Sequence, residues 1–309
     1  MFTVVIPLFN KEEYIHATVA SVLQQTYSDF ELLVINDGST DGSLGVLQEY
    51  KDARIKIIST KNNGAAAARN LGVSKAIHPY VALLDADDWW APTYLEEMAK
   101  AITTFPANTV FATGRTHIFA EKEVVYTHSY LPEKGTTDLV NHFQVLSKHL
   151  PAINSSNVVV RKDYFIETGG FNEAMQHFED HECWLRLALK QPIVFVNKPL
   201  SYYNKTAQKS SSKRGVSSSD LRTYFETMVV IKEQLSGKEK RYFRKFYQRF
   251  VKWSYLKFAP MYTEKERVLL QESMVKLVST LEVKILEELQ KTGIATIYKR
   301  AKKLSNGGS

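Results

Sequence analysis

Apolar runs and amphipathic stretches alternate along the first hundred residues. TVVIPLF, residues 3–9, reads as a short buried strand, and KEEYIHATVASVLQQT behind it carries Ile15, Val19, Val22 and Leu23 at helical spacing. ELLVIND predicts a second strand, and STDGSLGVLQEYK predicts a helix after an Asp-Gly turn. IKIIST, then GAAAARNLGVSKA, then YVALLD continue as strand, helix and strand. Strands separated by helices of about 10–15 residues are βαβ units, which demand a largely parallel sheet with both faces covered. Ligands of such sheets bind beyond the carboxyl ends of the strands, so Asn10, Asp37, Thr60 and Asp85 are expected on one rim.

From about residue 110 to 200 the pattern is mixed. TVFATGRTHIF and SSNVVVR are strand-like, and DHECWLRLALK is helical. NKTAQKSSSKRGVSSS, polar and rich in Ser and Lys, predicts a mobile loop. Beyond Asp220 the periodicity is helical with no strand signal.

A chain of 309 residues accommodates one large core plus an appendage, or two modest domains. Its 44% hydrophobic and 24% charged content is that of a globular protein. Cys183 is the only cysteine, which excludes an internal disulfide and fits a reducing compartment, with the thiol a buried spectator. No apolar stretch approaches the ~20 residues of a membrane span. MFTVVIPLFN lacks the basic start and small-residue cleavage site of a signal peptide, so a cytoplasmic location is expected.

Charge changes the picture. Residues 213–309 hold 21 Lys and Arg against 10 Asp and Glu, whereas the first 212 hold 19 against 23. A basic tail on a near-neutral body implies an anionic partner for the tail. Within KEKRYFRKFYQRFVKWSYLKF, helical spacing puts Phe243, Phe246, Tyr247 and Phe250 on one face and Arg241, Arg244, Lys245, Arg249 and Lys252 on the other. Either this helix braces the fold with its basic face in water, or residues 238–258 meet an anionic membrane or polyanion. No recognisable nucleic-acid fold accompanies it, so no nucleic-acid partner is expected.

Four stretches carry candidate chemistry. In VINDGSTDG, Asp37 leaves a buried strand: it is either part of a capped turn or a carboxylate for a nucleobase or ribose. In NNGAAAARNLG, Arg69 lies near a helix start, either meeting a phosphate or pairing with an acid. In YVALLDADDWWAP, Asp85, Asp87 and Asp88 end a strand together, more carboxylates than capping of the helix near Pro92 requires. Such a group suits Mg²⁺ or Mn²⁺, which take one or two carboxylates plus substrate phosphates. In MQHFEDHECWLRLALK, Glu179, Asp180 and Glu182 sit at a helix start, where acids favour the dipole and a half-buried one can serve as a general base.

Taken in order and spacing, VVIPLFNKEEYIHATVASVLQQTYSDFELLVINDGSTDGS, NNGAAAARNLGV, YVALLDADDWWAP and GGFNEAMQHFEDHECWLRLA resemble the family-2 inverting glycosyltransferases over about residues 2–205. The resemblance implies a GT-A fold: a Rossmann-like, mainly parallel sheet flanked by helices, here with a C-terminal helical extension. It implies a catalytic domain over 1–212, with a nucleotide-sugar half (1–105) and an acceptor half (106–212), followed by a basic helical region over 213–309. By position it places Pro7, Phe9 and Glu12 around the base, Asp37 on the base, and Arg69 near the base or diphosphate. Asp85 falls on the ribose, Asp87 on Mn²⁺ or Mg²⁺, and Asp180 becomes the catalytic base. Asp88 either assists or caps. Trp89, His177 and Glu179 are supporting candidates, with Trp89 and Trp90 walling the donor sugar or packing beneath the acceptor half. Lys11 stands where many members begin an acidic or small-residue stretch and receives no role. The usual Tyr-Arg after the last core strand is replaced by YYNKTAQKSSSK, leaving Lys205, Lys209 or Lys213 as point charges for the diphosphate.

The implied activity is metal-dependent, inverting transfer from a nucleotide-sugar, a UDP-sugar, to a hydroxyl of a glycan or lipid-linked acceptor in cell-surface polysaccharide assembly. The enzyme would work in the cytoplasm, with peripheral contact at the inner membrane face. Its alternative is a nucleotide-sugar-binding protein without turnover that acts through the basic tail. A sugar nucleotidyltransferase fits poorly, because IPLFNKEE lacks the glycines of its N-terminal signature.

Overall fold

A computed structural model describes residues 1–207 and 215–292. The chain divides into two compact units, Met1–Arg214 and Gly215–Ser309.

The first unit is built on a mixed sheet. Strands β1 (Phe2–Leu8), β2 (Phe30–Asn36), β3 (Ile55–Ser59) and β4 (Tyr80–Leu83) lie in the order β3-β2-β1-β4 and run parallel, as the alternation of apolar runs and helices predicts. Side-chain alternation divides each strand between two cores. Val4, Ile6, Leu8, Leu32 and Val34 meet α1 (Glu12–Leu23) and α4 (Tyr94–Thr104) on one face. Val5, Leu33 and Ile35 share the other face with residues of α3 (Ala65–Lys75) and α7 (Glu179–Leu187). The run of small residues in α3 serves this packing: a Cβ on Gly72 would fall 2.3 Å from Cγ1 of Val5.

Beyond β4 the direction changes. β9 (Val158–Arg161) is antiparallel to both β4 and β6 (Val110–Ile118), and β10 (Ile193–Asn204) then runs parallel to β6. The two-residue β5 (Trp89–Trp90) closes this edge against Ser201 and Tyr202 of β10, while β7 (Glu123–Val125) and β8 (Thr137–Val140) pair with β6 and β10. SSNVVVR supplies less strand than its composition suggests. Ser155–Asn157 instead form a turn in which the Asn157 amide donates to the carbonyls of Thr113 and Ala152 (2.6 and 3.0 Å).

The second unit contains α8 (Ser218–Gln234), α9 (Gly237–Phe258), α10 (Glu264–Met274) and α11 (Thr280–Lys291). Thr263 with Glu266 and Ser279 with Glu282 form complete capping boxes, which fix where α10 and α11 begin. The aromatic face read from the sequence is buried: Phe250 meets Tyr224 and Phe225 of α8 at 5.1 and 6.4 Å between ring centroids. Lys209 and Lys213 lie outside the described residues.

Candidate active site

Three strand ends build the cleft. After β1, Asn10 adopts a left-handed φ of 51° and its side-chain oxygen accepts the Thr40 N–H at 2.8 Å, tying this loop to the one after β2. The Lys11 N–H donates to the Ser43 hydroxyl at 2.9 Å, so the backbone that carries Lys11 is fixed. After β2, the buried carboxylate of Asp37 accepts the N–H groups of Asn63 and Gly64, both at 2.8 Å, and the Thr60 hydroxyl at 3.2 Å. Asp37 therefore shapes the loop that enters α3. Gly38 has φ +74°, and a Cβ there would fall 2.9 Å from the Asn62 nitrogen. After β4 come Asp85, Asp87 and Asp88.

A cavity of ≈ 390 Å³ opens at this rim. Pro7 and Phe9 line it, with Asp37, Asp85, Asp87, Glu173 and Glu179 as its carboxylates and Lys11 and Arg69 as its cations. Arg69 is buried and pairs with Asp85 (Nη2–Oδ1 2.6 Å) and with Glu179 (Nη1–Oε1 3.2 Å), its guanidinium 5.3 Å from the Phe171 ring. Burial opposes its charge, but the carboxylates of Asp85, Glu179 and Asp180 outweigh that and hold Arg69 above the ordinary arginine range. Lys11 Nζ lies 2.5 Å from Asp87 Oδ2, and both side chains are 12% exposed. Burial still pushes the Asp87 carboxyl up, with Lys11 opposing and Asp85 adding to the rise.

Glu179 and Asp180 open α7. The preceding Phe178 has a left-handed φ of 64°, a conformation that a non-glycine residue holds only when its surroundings impose it. Trp184 and Cys183 anchor the helix in the core, Trp184 edge-on to Phe171 at 5.5 Å. Arg186 bonds Glu182 at 2.6 Å and also donates to the carbonyls of Thr168 and Gly170. On the side of α3, the Asn70 amide exchanges two 2.9 Å bonds with the Phe171 backbone. Burial and the Asp180 charge push Glu179 up to about 7 against the pull of Arg69. Asp180 is half-buried, and its carboxylate accepts the His181 N–H at 2.7 Å.

The site candidates thus divide. Pro7, Phe9, Asp37, Arg69, Asp85, Asp87 and Glu179 share one cleft, and Asp180 follows directly on α7. Glu12 is elsewhere: it is exposed and accepts the Gly42 N–H at 2.9 Å, on the loop before α2 (Ser43–Gln48). Asp88 is fully buried, accepting the Ser156 hydroxyl at 2.5 Å and the Asn204 N–H at 2.8 Å. Its carboxylate therefore joins the end of β10 to the rim and does not cap α4, which begins at Tyr94. Burial, with the charges of Asp87 and Asp85, raises its pKa well above the carboxylate range. Trp89 stacks on Tyr202 at 5.6 Å, while Trp90 is buried against Tyr94 and donates its indole N–H to the Ser156 carbonyl at 2.7 Å. His177 is half-buried just before α7 and does not line the cavity. Lys205 lies 3.9 Å from the Tyr203 ring, and burial and Arg115 lower its pKa.

Sequence reasoning left out Lys11, Tyr203 and the 173–176 segment, all of which line the cavity. It also left out Arg115, which is buried with its guanidinium donating to the carbonyls of Ala152 and Pro151, both at 2.8 Å, above the Tyr126 ring. An arginine inside the strand-like TVFATGRTHIF was the available signal.

Comparison with known proteins bears on the family and the fold. Residues 3–177 match the family described as Glycosyl transferase family 2, and the chain belongs to that family. Over 126 residues it is 37% identical to "Glycosyltransferase GlyA" of Streptococcus pneumoniae serotype 4, covering 40% of this chain and 18% of that protein. Over 103 residues it is 41% identical to "Putative teichuronic acid biosynthesis glycosyltransferase TuaG" of Bacillus subtilis, covering 32% and 41%. The chain thus spans under half the length of these relatives. The fold is that of Staphylococcus aureus TarS 1–349, solved in complex with UDP-GlcNAc: TM-score 0.73, 21% identity, 99% of this chain and 88% of that one.

Proposed function

We propose that the protein is a metal-dependent inverting glycosyltransferase that moves a sugar from a UDP-sugar to a hydroxyl of a glycan or lipid-linked acceptor in cell-surface polysaccharide assembly. The observation that carries this reading is the charge of the cleft: five carboxylates against two cations at the carboxyl ends of parallel strands. A nucleotide diphosphate entering alone would be repelled, and a hard divalent cation removes that repulsion. The teichuronic acid relative and the UDP-GlcNAc complex of TarS support the donor class and the setting.

The residues fit such an ion. Among the described residues no three His, Cys, Asp or Glu side chains converge as a metal site. Asp87, on the rim of the cavity, is the carboxylate this reading gives to the ion, and Mg²⁺ or Mn²⁺ commonly takes one or two carboxylates with the rest from phosphate and water. When bound, the metal would stabilise charge on the departing diphosphate. The protein's own groups do the remainder. Asp37, through the loop it shapes, and Pro7 and Phe9 bound the nucleotide end. Asp180 accepts the proton of the acceptor hydroxyl, and that oxygen attacks the anomeric carbon opposite the diphosphate. A single displacement inverts the configuration, which the anomeric coupling constant of the product reports.

Donor identity is testable by thermal melting with nucleotide diphosphates and nucleotide-sugars, each with and without Mn²⁺. A ligand present at 100–1,000 times its Kd stabilises by about 3–4 kcal/mol. UDP with Mn²⁺ should raise the melt, and one UDP-sugar should raise it further. No shift with any nucleotide under either metal would remove the donor reading.

The second unit has a role in the same reading. Lys238, Arg241, Arg244 and Lys245 lie exposed along α9 together with Trp253. This face would hold the enzyme on the anionic cytoplasmic surface of the membrane, at about 1 kcal/mol for each basic residue. Changing Arg241, Arg244 and Lys245 together to Gln should lower partition onto vesicles containing anionic lipid about a hundredfold at low salt. Equal sedimentation of both proteins with anionic and neutral vesicles would end this assignment.

A further inference from the structure

Lys11 contradicts the simplest picture of an acidic cleft awaiting a metal. Its ammonium already sits 2.5 Å from Asp87, the carboxylate assigned to the ion, and both side chains are largely buried. The second cation of the cleft is placed differently. Arg69 is clamped between Asp85 and Glu179 by a planar fork on a helix, so it stays where it is. Lys11 has a fixed backbone, its N–H on Ser43 and its carbonyl accepting the Tyr14 and Ile15 N–H groups at 2.9 Å, but its charge rides on a flexible four-carbon stem.

We propose that Lys11 is a displaceable counter-ion: it occupies Asp87 in the free protein and transfers to the donor diphosphate when metal and nucleotide arrive together. The proposal rests on the reading of this cleft as a metal–nucleotide site. A divalent ion and an ammonium repel each other at one carboxylate edge, so the metal alone must expel Lys11 into a cleft that offers it no phosphate. A diphosphate resolves the conflict, because its oxygens complete the metal's shell and also accept the ammonium. Metal and nucleotide then bind cooperatively, and linkage requires each to tighten the other by the same factor. The consequence is selectivity: a free divalent ion does not fill the cleft and block it, and Asp87 keeps a cationic partner both before and after the donor arrives.

The test is titration of Mn²⁺, followed by the electron paramagnetic resonance of the free ion, into wild type, Lys11→Gln and Lys11→Arg, each with and without UDP. Thermal melts confirm that each variant is folded. Lys11→Gln should bind Mn²⁺ alone at least about tenfold more tightly than wild type, while Lys11→Arg, which keeps the charge, should remain as weak as wild type. In wild type, UDP should tighten Mn²⁺ at least about tenfold. That arm needs no variant, and a factor near one overturns the proposal by itself. Equal Mn²⁺ affinity of wild type and Lys11→Gln without UDP, with UDP recruiting Mn²⁺ to both, overturns the Lys11 role and leaves the metal site standing. No Mn²⁺ binding to wild type even in the presence of UDP, while UDP still raises its melt, removes the metal reading, and this proposal falls with it.

Discussion

Asp180→Asn should lower the rate of sugar transfer by about 10²–10⁴-fold, the usual contribution of a positioned general base, while UDP with Mn²⁺ still stabilises the variant as it does wild type. The two readouts separate because Asp180 is not among the residues lining the cleft, whereas Arg69, Asp85 and Asp87 are. An amide has nearly the shape of the carboxylate and can still accept the His181 N–H, so the opening turn of α7 keeps its bond. The competing candidate is its neighbour. Glu179 is pushed up to about 7 by burial and by Asp180, and has one oxygen engaged by Arg69 at 3.2 Å. With that oxygen committed to Arg69, Glu179 belongs to the ion-pair network of the cleft, which is why the base role goes to Asp180. Glu179→Gln should therefore retain far more transfer than Asp180→Asn. The reverse order would move the base to Glu179, and undiminished transfer by Asp180→Asn would take Asp180 out of the mechanism.

Parts of this site were legible in the sequence for a simple reason. A parallel sheet buried on both faces writes its strands as apolar runs, so the polar residues that follow each run mark the rim. Asp37 and Asp85 were found in that way, and both line the cleft. Glu12, the first residue of the chain's first helix, faces Gly42 rather than the cavity, because helix polarity does not report azimuth. Asp88 resembled its neighbours in composition, but the side chain of the last acid in the turn points inward to Ser156 and Asn204. β10, the longest strand among the described residues, was hidden by Asn197, Lys198 and Pro199, where its pairing with β6 shifts register; proline is tolerated at such an irregularity. The ion pairs were beyond reach for a different reason. Lys11 and Asp87 are 76 positions apart, Arg69 and Glu179 are 110 apart, and no local pattern couples them.

Arg69→Met should destabilise the first unit by about 3–5 kcal/mol, the cost of removing one partner from a buried ion pair. Met conserves most of the volume and the contact with Phe171, so the loss isolates charge rather than packing. What remains is Asp85, 29% exposed, and Glu179, 13% exposed, both without their cation. Water reaches Asp85 more easily, so Glu179 should carry most of the penalty. The sign with pH follows. Glu179 in the folded protein is already held at about 7 against an ordinary 4.5, so the native state binds its proton more readily than the unfolded chain, and its contribution to stability falls as pH rises through that interval. Removing Arg69 takes away the group that opposes this rise, which extends the interval upward. Urea unfolding should therefore show a larger loss for Arg69→Met at pH 8 than at pH 5, with an unchanged slope in denaturant. The double variant Arg69→Met with Glu179→Gln should recover part of the loss at pH 8, because the two sites share one network. An equal loss at both pH values, with no recovery in the double variant, would mean that Arg69 stabilises the fold through packing. The Asp85–Arg69–Glu179 chain would then be a consequence of the cleft rather than what holds it open.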